Sequence, residues 1–491
     1  MQRITVDTLS GPLEGRSKED TFLFAGVPYA APPVDDLRFK APRPHATWSE
    51  PRQAFKFGPA APQVATGGMT DAQPVRSSED CLTLNIATPA CDGGKRAVLF
   101  WIHGGGYRTG QGSIPWYNGA AFAKNGDIVT VSINYRLGAL GFADLTHFGA
   151  DFKTSNVNGT LDQIAALTWV KDNIARFGGD PAKITIAGES AGGFSVATLL
   201  GCDSANRLFQ RAIPQSGAAH HTLPKDAAEQ TTERFLSDLG INNAVGVLAA
   251  STEQILEAQT RTLASLETGA GVTNKLGTPV SPFYPAHGTE LLPQASIDAI
   301  ASGSGSDVAV LTGTNKDETT LWGYGEVDAA KLDRIADAYG ASATIDAYRA
   351  TNQEASPEDI LIALTTDHMF RIPAIRLAEA RQSHSAETWM YLFNWQSRAF
   401  EGRLKATHAL EIPFAFDNLS RAGVDAFIGP GERPQHIAQV MHQAWIDFVN
   451  EGDPGWAAYN SVERATMVFD DESAVQNDPA GAERAAWDGI R

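Results

Sequence analysis

Apolar and polar residues along the chain follow a pattern that predicts alternating strands and helices. Residues 97–102, 128–135 and 184–187 are almost continuously apolar or β-branched. Such runs are typical of strands that are buried on both faces of a parallel sheet. Between the last two runs, apolar residues recur at helical spacing from Leu161 to Phe177. This strand–helix–strand order predicts an α/β protein.

The rest of the chain extends this pattern. Strand character is predicted for residues 4–27 (an edge ribbon), 82–86, 211–217, 308–313 and 389–394, which we interpret as the last central strand. Helical character is predicted for residues 225–300 and 329–383, and for a terminal helix at 436–449 with one apolar face: Ile437, Val440, Met441, Ala444, Trp445 and Phe448. We therefore expect one domain over residues 1–491, a mostly parallel twisted sheet with helical insertions at roughly 220–300 and 325–385.

The charge balance excludes two classes of partner. The 491 residues include 39 basic and 57 acidic ones, for a net charge of −18. Nucleic acids and anionic membranes both require a basic face. We therefore expect neither nucleic acid nor a membrane as a partner. Separately, we expect the chain to be a monomer or a homodimer.

The sequence also bears on location and on metals. No stretch of about 18 apolar residues is present, so no membrane span is predicted. No signal peptide is visible at the N-terminus, and a cytoplasmic location is expected. Cys81, Cys91 and Cys202 show no metal-ligand spacing and are too few for a disulfide framework. No metal or cofactor is predicted, and the adjacent His220 and His221 lack further ligands at suitable spacing.

The strongest motif follows the strand at residues 184–187. Gly188 to Gly192 match G-x-S-x-G, with Ser190 at the centre and small residues after it. This motif places a serine on a strained turn between a strand and a helix, where bulky neighbours would collide. The helix N-terminus lies close to where negative charge would develop. The pattern predicts a nucleophilic serine.

A serine nucleophile needs a base, and the base needs an orienting carboxylate. With this motif, the order along the chain is serine, then acid, then histidine. Asp317 and Glu318 both follow the strand at 308–313, and the residues alone do not choose between them. His408 follows the strand at 389–394, whereas His436 and His442 lie on a predicted helix and are expected to be solvated or packed.

The third requirement is a set of donors for the oxyanion. His103 is followed by three glycines, Gly104 to Gly106, directly after a predicted central strand. Their amides are free of side-chain obstruction, and the amide of Ala191 adds another donor beside the serine.

Taken together, these segments resemble the type-B carboxylesterases, a family of α/β-hydrolase fold that includes bacterial para-nitrobenzyl esterases. The resemblance rests on residues 24–30, 78–85, 103–107, 134–138, 188–193, 313–318 and the His408 segment. It implies Glu318 as the triad acid and Gly105, Gly106 and Ala191 as oxyanion donors. It also implies that Ser216 and Glu189 lie next to the triad residues without belonging to the triad.

Three departures from the family separate this chain from some members. No cysteine precedes Cys81, so the disulfide of the secreted members cannot form. The loop at residues 64–76 has no tryptophan, where cholinesterases carry the one that stacks on a quaternary amine, so choline esters are not expected as preferred substrates. Thr319 stands where relatives usually have glycine.

The expected activity is hydrolysis of small carboxylic esters through an acyl-enzyme, with Ser190, His408 and Glu318 as the triad. A carbamate or aryl-amide hydrolase with the same triad is the alternative, and a non-catalytic adhesion or scaffold module is a remote one. Four aromatic residues are candidates for the substrate pocket, although each suits the core equally well: Tyr107, Phe194, Trp322 and Phe370.

Overall fold

The computed structural model describes residues 2–64, 76–267, 281–384 and 387–491. The surface loop predicted at residues 64–76 lies outside these ranges, apart from its two end residues.

Strands form where the apolar runs predict them, and at further places. In chain order they are β1 Arg3–Asp7, β2 Pro12–Lys18, β3 Thr21–Pro28, β4 Arg52–Gln53, β5 Thr83–Thr88, β6 Arg96–Ile102, β7 Val129–Ile133, β8 Gly179–Glu189, β9 Arg211–Gln215, β10 Leu223–Pro224, β11 Ala286–His287, β12 Ala309–Asn315, β13 Thr388–Phe393, β14 Ala465–Phe469 and β15 Ala474–Asn477. Within the described ranges, 13 of them form one sheet, in the order β1-β2-β3-β5-β7-β6-β8-β9-β12-β13-β14-β15 with β4 beside β2.

The centre of this sheet is parallel. All neighbouring pairs from β7 to β14 run parallel, and the pairs among β1, β2, β3, β5 and β7 at one end and β14–β15 at the other are antiparallel. In register, Trp101 on β6 lies opposite Ser132 on β7 and Ala187 on β8. The carboxyl ends of the central strands therefore meet at one edge, where the predicted site residues follow.

Helices cover both faces of the sheet. They are α1 Ala120–Gly126, α2 Gly138–Phe142, α3 Asn158–Asn173, α4 Ala191–Leu200, α5 Lys225–Leu239, α6 Ala244–Ala249, α7 Thr252–Glu267, α8 Ser296–Ala301, α9 Ala329–Ala338, α10 Ile345–Thr351, α11 Pro357–Thr366, α12 Ile372–Arg381, α13 Ile412–Ala415, α14 Val424–Ile428, α15 Gln435–Glu451 and α16 Gly481–Ala486. In the described part of the chain, none has both the length and the apolar content that a membrane span requires.

Side chains of β6 show how the two faces are filled. Val98 and Phe100 belong to one apolar cluster, which also contains Val170 of α3. Leu99 and Trp101 belong to the cluster on the opposite face, packed with α15. Successive side chains of a strand point to opposite faces, so an uninterrupted apolar run is needed to fill both.

Three predictions about the C-terminal region are wrong. The strand at 389–394 is not the last central one, because β14 pairs in parallel with β13 and β15 follows it. Consequently α15 is not terminal. The sequence did not predict β14, because Ala465–Phe469 has only five residues and one of them is a threonine. So short and interrupted an apolar run is a weak signal for a strand. Val440 is also misplaced: it is 47% exposed and lies beside the buried stripe of α15.

A buried ion pair fixes the loop after β7 to α3. Arg136 donates from Nε and Nη2 to the Asp162 carboxylate at 2.8 and 2.7 Å, and its backbone amide donates to the same group at 3.0 Å. The Arg136 guanidinium also donates to the Lys40 carbonyl at 2.6 Å. Both side chains are almost completely excluded from solvent. A buried charge that loses its partner is strongly destabilising.

We therefore expect Asp162→Asn to lower the free energy of unfolding by about 3–5 kcal/mol, because it leaves the Arg136 charge buried and uncompensated. The measurement is urea denaturation followed by circular dichroism. Asp346→Asn is the control: Asp346 is 92% exposed in its pair with Arg349, and a change within about 1 kcal/mol is expected. Equal effects of the two substitutions would contradict this assignment.

Candidate active site

Ser190 occupies the turn between β8 and α4 in a strained conformation. Its backbone angles are φ 56° and ψ −125°, a region that residues with a Cβ rarely adopt. A Cβ on Gly188 would lie 2.6 Å from the Ile102 carbonyl oxygen, and one on Gly192 would lie 2.1 Å from it. Both glycines are thus required by the close approach of β6. The strained turn leaves Ser190 half-buried at the carboxyl edge of the sheet.

Glu318 and His408 are brought together by the loops after β12 and β13. The carboxylate oxygen Oε2 of Glu318 lies 2.5 Å from Nδ1 of His408. The backbones are joined as well, since the His408 amide donates to the Glu318 carbonyl at 3.1 Å. The other carboxylate oxygen of Glu318 accepts a hydrogen bond from the backbone N–H of Asn315 at 2.8 Å. Both side chains are buried, so this contact holds the imidazole in one orientation.

The neighbouring acid points elsewhere. Asp317 accepts a hydrogen bond from the Ala406 amide at 3.3 Å, and burial raises the pKa of its carboxyl group although two lysines oppose this. Thr319 does not prevent the contact between Glu318 and His408; its hydroxyl group lies 2.8 Å from that of Thr365. The geometry therefore pairs His408 with Glu318 rather than with Asp317.

The other ring nitrogen of His408 faces Glu189. Nε2 lies 3.1 Å from Oε1 of this carboxylate, and no hydrogen bond joins His408 to Ser190 among the described residues. Glu189 and Ser190 nevertheless border the same space: a Cβ on Gly104 would lie 3.0 Å from Oε2 of Glu189 and 3.1 Å from the Ser190 Cβ. The imidazole thus reaches the turn, where it contacts the residue just before the serine.

Three buried carboxylates surround this one imidazole. Burial disfavours the charged ring, but Glu189, Glu318 and Glu411 outweigh it and raise the pKa of His408 to about 9. Burial raises the pKa of Glu189 well above its usual range, with His408 opposing. Burial and the nearby Glu318 likewise raise the pKa of Glu411 to about 7. The site concentrates acidic groups around a single cation.

Glu411 is a residue that the sequence analysis missed. Its carboxylate accepts from Gln215 Nε2 at 3.0 Å and from Asn315 Nδ2 at 2.7 Å. Gln215 in turn accepts from the Trp445 indole at 3.0 Å. The available signal was a lone carboxylate three positions after His408 in an apolar segment. Ser216, predicted to support the triad, is buried, and its amide donates to the Gly313 carbonyl at 2.9 Å.

The predicted oxyanion donors lie on the glycine loop and at the start of α4. Gly105 and Gly106 have φ values of 104° and 61°, which glycine adopts without strain. Among the hydrogen bonds between described residues outside regular elements, none uses the amides of Gly105, Gly106 or Ala191. Those three N–H groups are therefore available to a ligand.

The four aromatic candidates separate into two groups. Tyr107 is fully buried, contacts Phe142 and Tyr284, and lies 3.3 Å from the Ser195 hydroxyl, as a core residue would. The Phe370 and Trp322 rings lie 4.8 and 5.2 Å from the His408 ring. Phe194 is buried and lies parallel to Phe370.

No metal centre is found in the described part of the chain: no three His, Cys, Asp or Glu side chains there are arranged to hold an ion. His221 instead stacks on Phe194, with ring centroids 3.6 Å apart.

A cavity of about 290 Å³ lies on the sheet face, bordered by Trp101, Tyr117 and Phe416. None of its described lining residues belongs to the predicted triad. We therefore do not place the substrate there.

Comparisons with known proteins identify the family and the fold of the chain. Residues 2–487 match the model of the carboxylesterase family. The para-nitrobenzyl esterase of Bacillus subtilis (strain 168) is 35% identical over 98% of this chain and 97% of its own. The phenmedipham hydrolase of Pseudarthrobacter oxydans is 37% identical over 95% of each chain. A crystal structure of a Geobacillus stearothermophilus carboxylesterase superposes with a TM-score of 0.87 and 38% identity, over 98% of this chain and 99% of that one.

These matches cover nearly the whole chain and confirm the predicted α/β-hydrolase fold. The chain belongs to the carboxylesterase family of carboxylic ester hydrolases.

Proposed function

We propose that the protein hydrolyses small carboxylic esters through an acyl-enzyme formed on Ser190, with His408 as the base and Glu318 as its orienting acid. The observation that carries this proposal is the buried contact between Glu318 and His408 beside the strained turn of Ser190. A serine hydroxyl is a weak nucleophile until a base removes its proton.

In the first half of the reaction, Ser190 Oγ attacks the ester carbonyl while His408 Nε2 takes its proton. The carbonyl oxygen becomes an oxyanion, which accepts hydrogen bonds from the amides of Gly105, Gly106 and Ala191. Collapse of the tetrahedral intermediate breaks the bond to the alcohol, and His408 returns the proton to the leaving oxygen. Glu318 stabilises the imidazolium throughout.

In the second half, water replaces the alcohol. His408 removes a proton from water as the water oxygen attacks the acyl carbon. The bond from that carbon to Ser190 Oγ then breaks, His408 returns the proton to Oγ, and the carboxylic acid leaves. For either proton transfer, Nε2 must exchange its contact with Glu189 for one with the serine or the water. The half-buried turn, on which Glu189 and Ser190 border the same space, supports this exchange.

A carbamate or aryl-amide substrate is the second candidate. One relative bears the name phenmedipham hydrolase rather than esterase, and the same triad would serve each of these carbonyl groups. Turnover of phenyl acetate against phenyl N-methylcarbamate separates the two. The oligomeric state, monomer or homodimer, and the cytoplasmic location stay predictions.

Ser190→Ala is expected to lower kcat for 4-nitrophenyl acetate by at least about 1000-fold, because no other nucleophile lies on the turn. The fold should be retained, as judged by circular dichroism. Ser302→Ala, at the end of α8, is the control and should leave kcat unchanged. Retained turnover in Ser190→Ala would remove the serine from its assigned role.

A second substitution pair tests the choice of acid. Glu318→Gln should lower kcat by about 1000-fold or more, because the amide no longer stabilises the imidazolium. Asp317→Asn should leave kcat nearly unchanged, since Asp317 contacts the Ala406 amide rather than the ring. The two substituted positions are adjacent in the chain. A large loss of kcat in Asp317→Asn together with a nearly unchanged kcat in Glu318→Gln would assign the acid to Asp317.

Glu189→Gln is expected to shift the acidic limb of the kcat/KM profile to lower pH. Only neutral His408 accepts a proton, so activity is lost as pH falls through its pKa. The Glu189 carboxylate is one of the groups that raise this pKa to about 9. Replacing the Glu189 carboxylate with an amide lowers the pKa of His408, so the enzyme stays active at lower pH. Glu472→Gln, an exposed substitution, serves as the control; an unchanged or upward-shifted limb in Glu189→Gln would contradict the electrostatic account.

A further inference from the structure

One face of the sheet carries a trough of small side chains. Directly opposite residues on neighbouring strands point to the same face. Strand register places two rows of such residues across β3, β5, β7 and β6: Leu23, Ala87, Thr130 and Leu99 in one row, and Asn85, Ser132 and Trp101 in the next. The side chains over β5 and β7 are small or polar, whereas the flanking leucines and the tryptophan are large. A trough therefore runs above β5 and β7.

The helices leave this trough unfilled. The cavity of about 290 Å³ on the sheet face lies over it, and all seven residues of the two rows border that cavity. Ala87 and Ser132 are only half-buried, although β5 and β7 lie inside the sheet. An apolar cavity of about 150 Å³ is enough to bind benzene. The trough thus has room for a ligand made of one ring and a short chain.

The walls of the cavity are apolar and are fixed by their own packing. They come from the segment that leads into α1 and from the residue after α13: Ile114, Tyr117, Ala120 and Phe416. The Phe416 ring packs edge-on against Trp101 at a centroid distance of 4.8 Å, and Tyr117 lies 5.4 Å from Trp101. Such walls suit the apolar body of a ligand.

The polar groups of the floor are already engaged within the protein. The Ser132 hydroxyl donates to the Gly112 carbonyl at 2.6 Å and accepts from Asn85 Nδ2 at 3.1 Å. The Asn85 carbonyl oxygen accepts from the Gly26 amide at 3.0 Å. A ligand therefore needs no polar group at the bottom of the trough, and an apolar body leaves no donor or acceptor there without its partner.

The mouth of the cavity carries one positive charge in excess. Lys18, Glu19 and Arg421 all border it. Arg421 donates two hydrogen bonds to the Glu19 carboxylate, so these two charges offset each other. Lys18 Nζ lies 3.7 Å from Glu19, beyond hydrogen-bond distance, and within the described ranges no other carboxylate lies within 4.0 Å of it. An anionic group at the mouth would pair with this ammonium group.

We propose that this cavity is a second ligand site, separate from the triad, which binds a small organic acid. The apolar body of the acid lies in the trough, and its carboxylate lies at the mouth beside Lys18. Burial of the apolar body supplies most of the affinity. The exposed ion pair adds about a 2- to 5-fold preference for the acid over an uncharged molecule of the same shape.

Isothermal titration calorimetry with three probes of one shape tests the charge preference. The probes are 3-phenylpropionate, 3-phenylpropionamide and 3-phenylpropylamine, which carry a negative, a neutral and a positive group on the same body. We expect the acid to bind about 2- to 5-fold more tightly than the amide, and the amine to bind most weakly. An acid that shows no saturable binding, or that binds no more tightly than the amide, would overturn the proposal.

Two variants locate the bound acid. Ala87→Ile places a larger, β-branched side chain in the trough of a strand and should weaken binding of acid and amide alike by about 10-fold or more. Lys18→Gln should remove the difference between acid and amide while leaving the affinity for the amide unchanged. The matched controls are Ala474→Ile, on the exposed strand β15, and Lys183→Gln, which is exposed and outside the cavity.

The same variants separate this site from the triad. An acid bound at Ser190 would keep its affinity in both Ala87→Ile and Lys18→Gln, and that result would overturn the proposal. Lys18 is exposed enough that Lys18→Gln gives an answer even where Ala87→Ile lowers the yield of folded protein. Turnover of 4-nitrophenyl acetate should stay unchanged in Lys18→Gln. Turnover without acid binding would remove the second site alone, and acid binding without turnover would remove the esterase function alone.

Discussion

The contact between Glu318 and His408 depends on the pairing of two strands. β12 and β13 are parallel neighbours, with Asn315 opposite Phe393 at their carboxyl ends. The loops that follow them leave the same edge of the sheet, and one carries the acid while the other carries the imidazole. A slip of one residue between these strands would turn the following side chains to the other face. The apolar contacts that hold this register therefore also determine the geometry of the site.

Positions whose conformation is set by the local backbone could be predicted from the sequence. Ser190 is one, because the glycines around it have meaning only on a tight turn, and its φ is 56°. Gly105 and Gly106 lie in the predicted glycine loop with positive φ. The catalytic roles of these residues stay predictions. The choice between Asp317 and Glu318 could not be made from the residues alone, because either of two adjacent side chains could point toward the histidine. The family resemblance implied Glu318. The geometry pairs Glu318 with His408.

Features that depend on distant packing were missed. Glu411 joins the site only because Gln215 and Asn315, from two other strands, provide donors for its carboxylate. No role was predicted for His221 from the sequence, and its neighbour in space is a phenylalanine on α4. β14 forms a strand because it pairs with β13 through backbone hydrogen bonds. Its own composition does not predict this pairing. The single-domain organisation stays a prediction.

The sheet order also has a consequence for synthesis on the ribosome. β13, which leads into the His408 loop, remains an open edge until residues 465–469 have emerged and paired with it. A chain that stops short of them would leave one edge of β13, which contains Trp389, Met390, Tyr391 and Phe393, without a partner strand, and such an edge is a template for aggregation. Nonsense mutations late in the gene should therefore yield insoluble protein rather than a shortened enzyme.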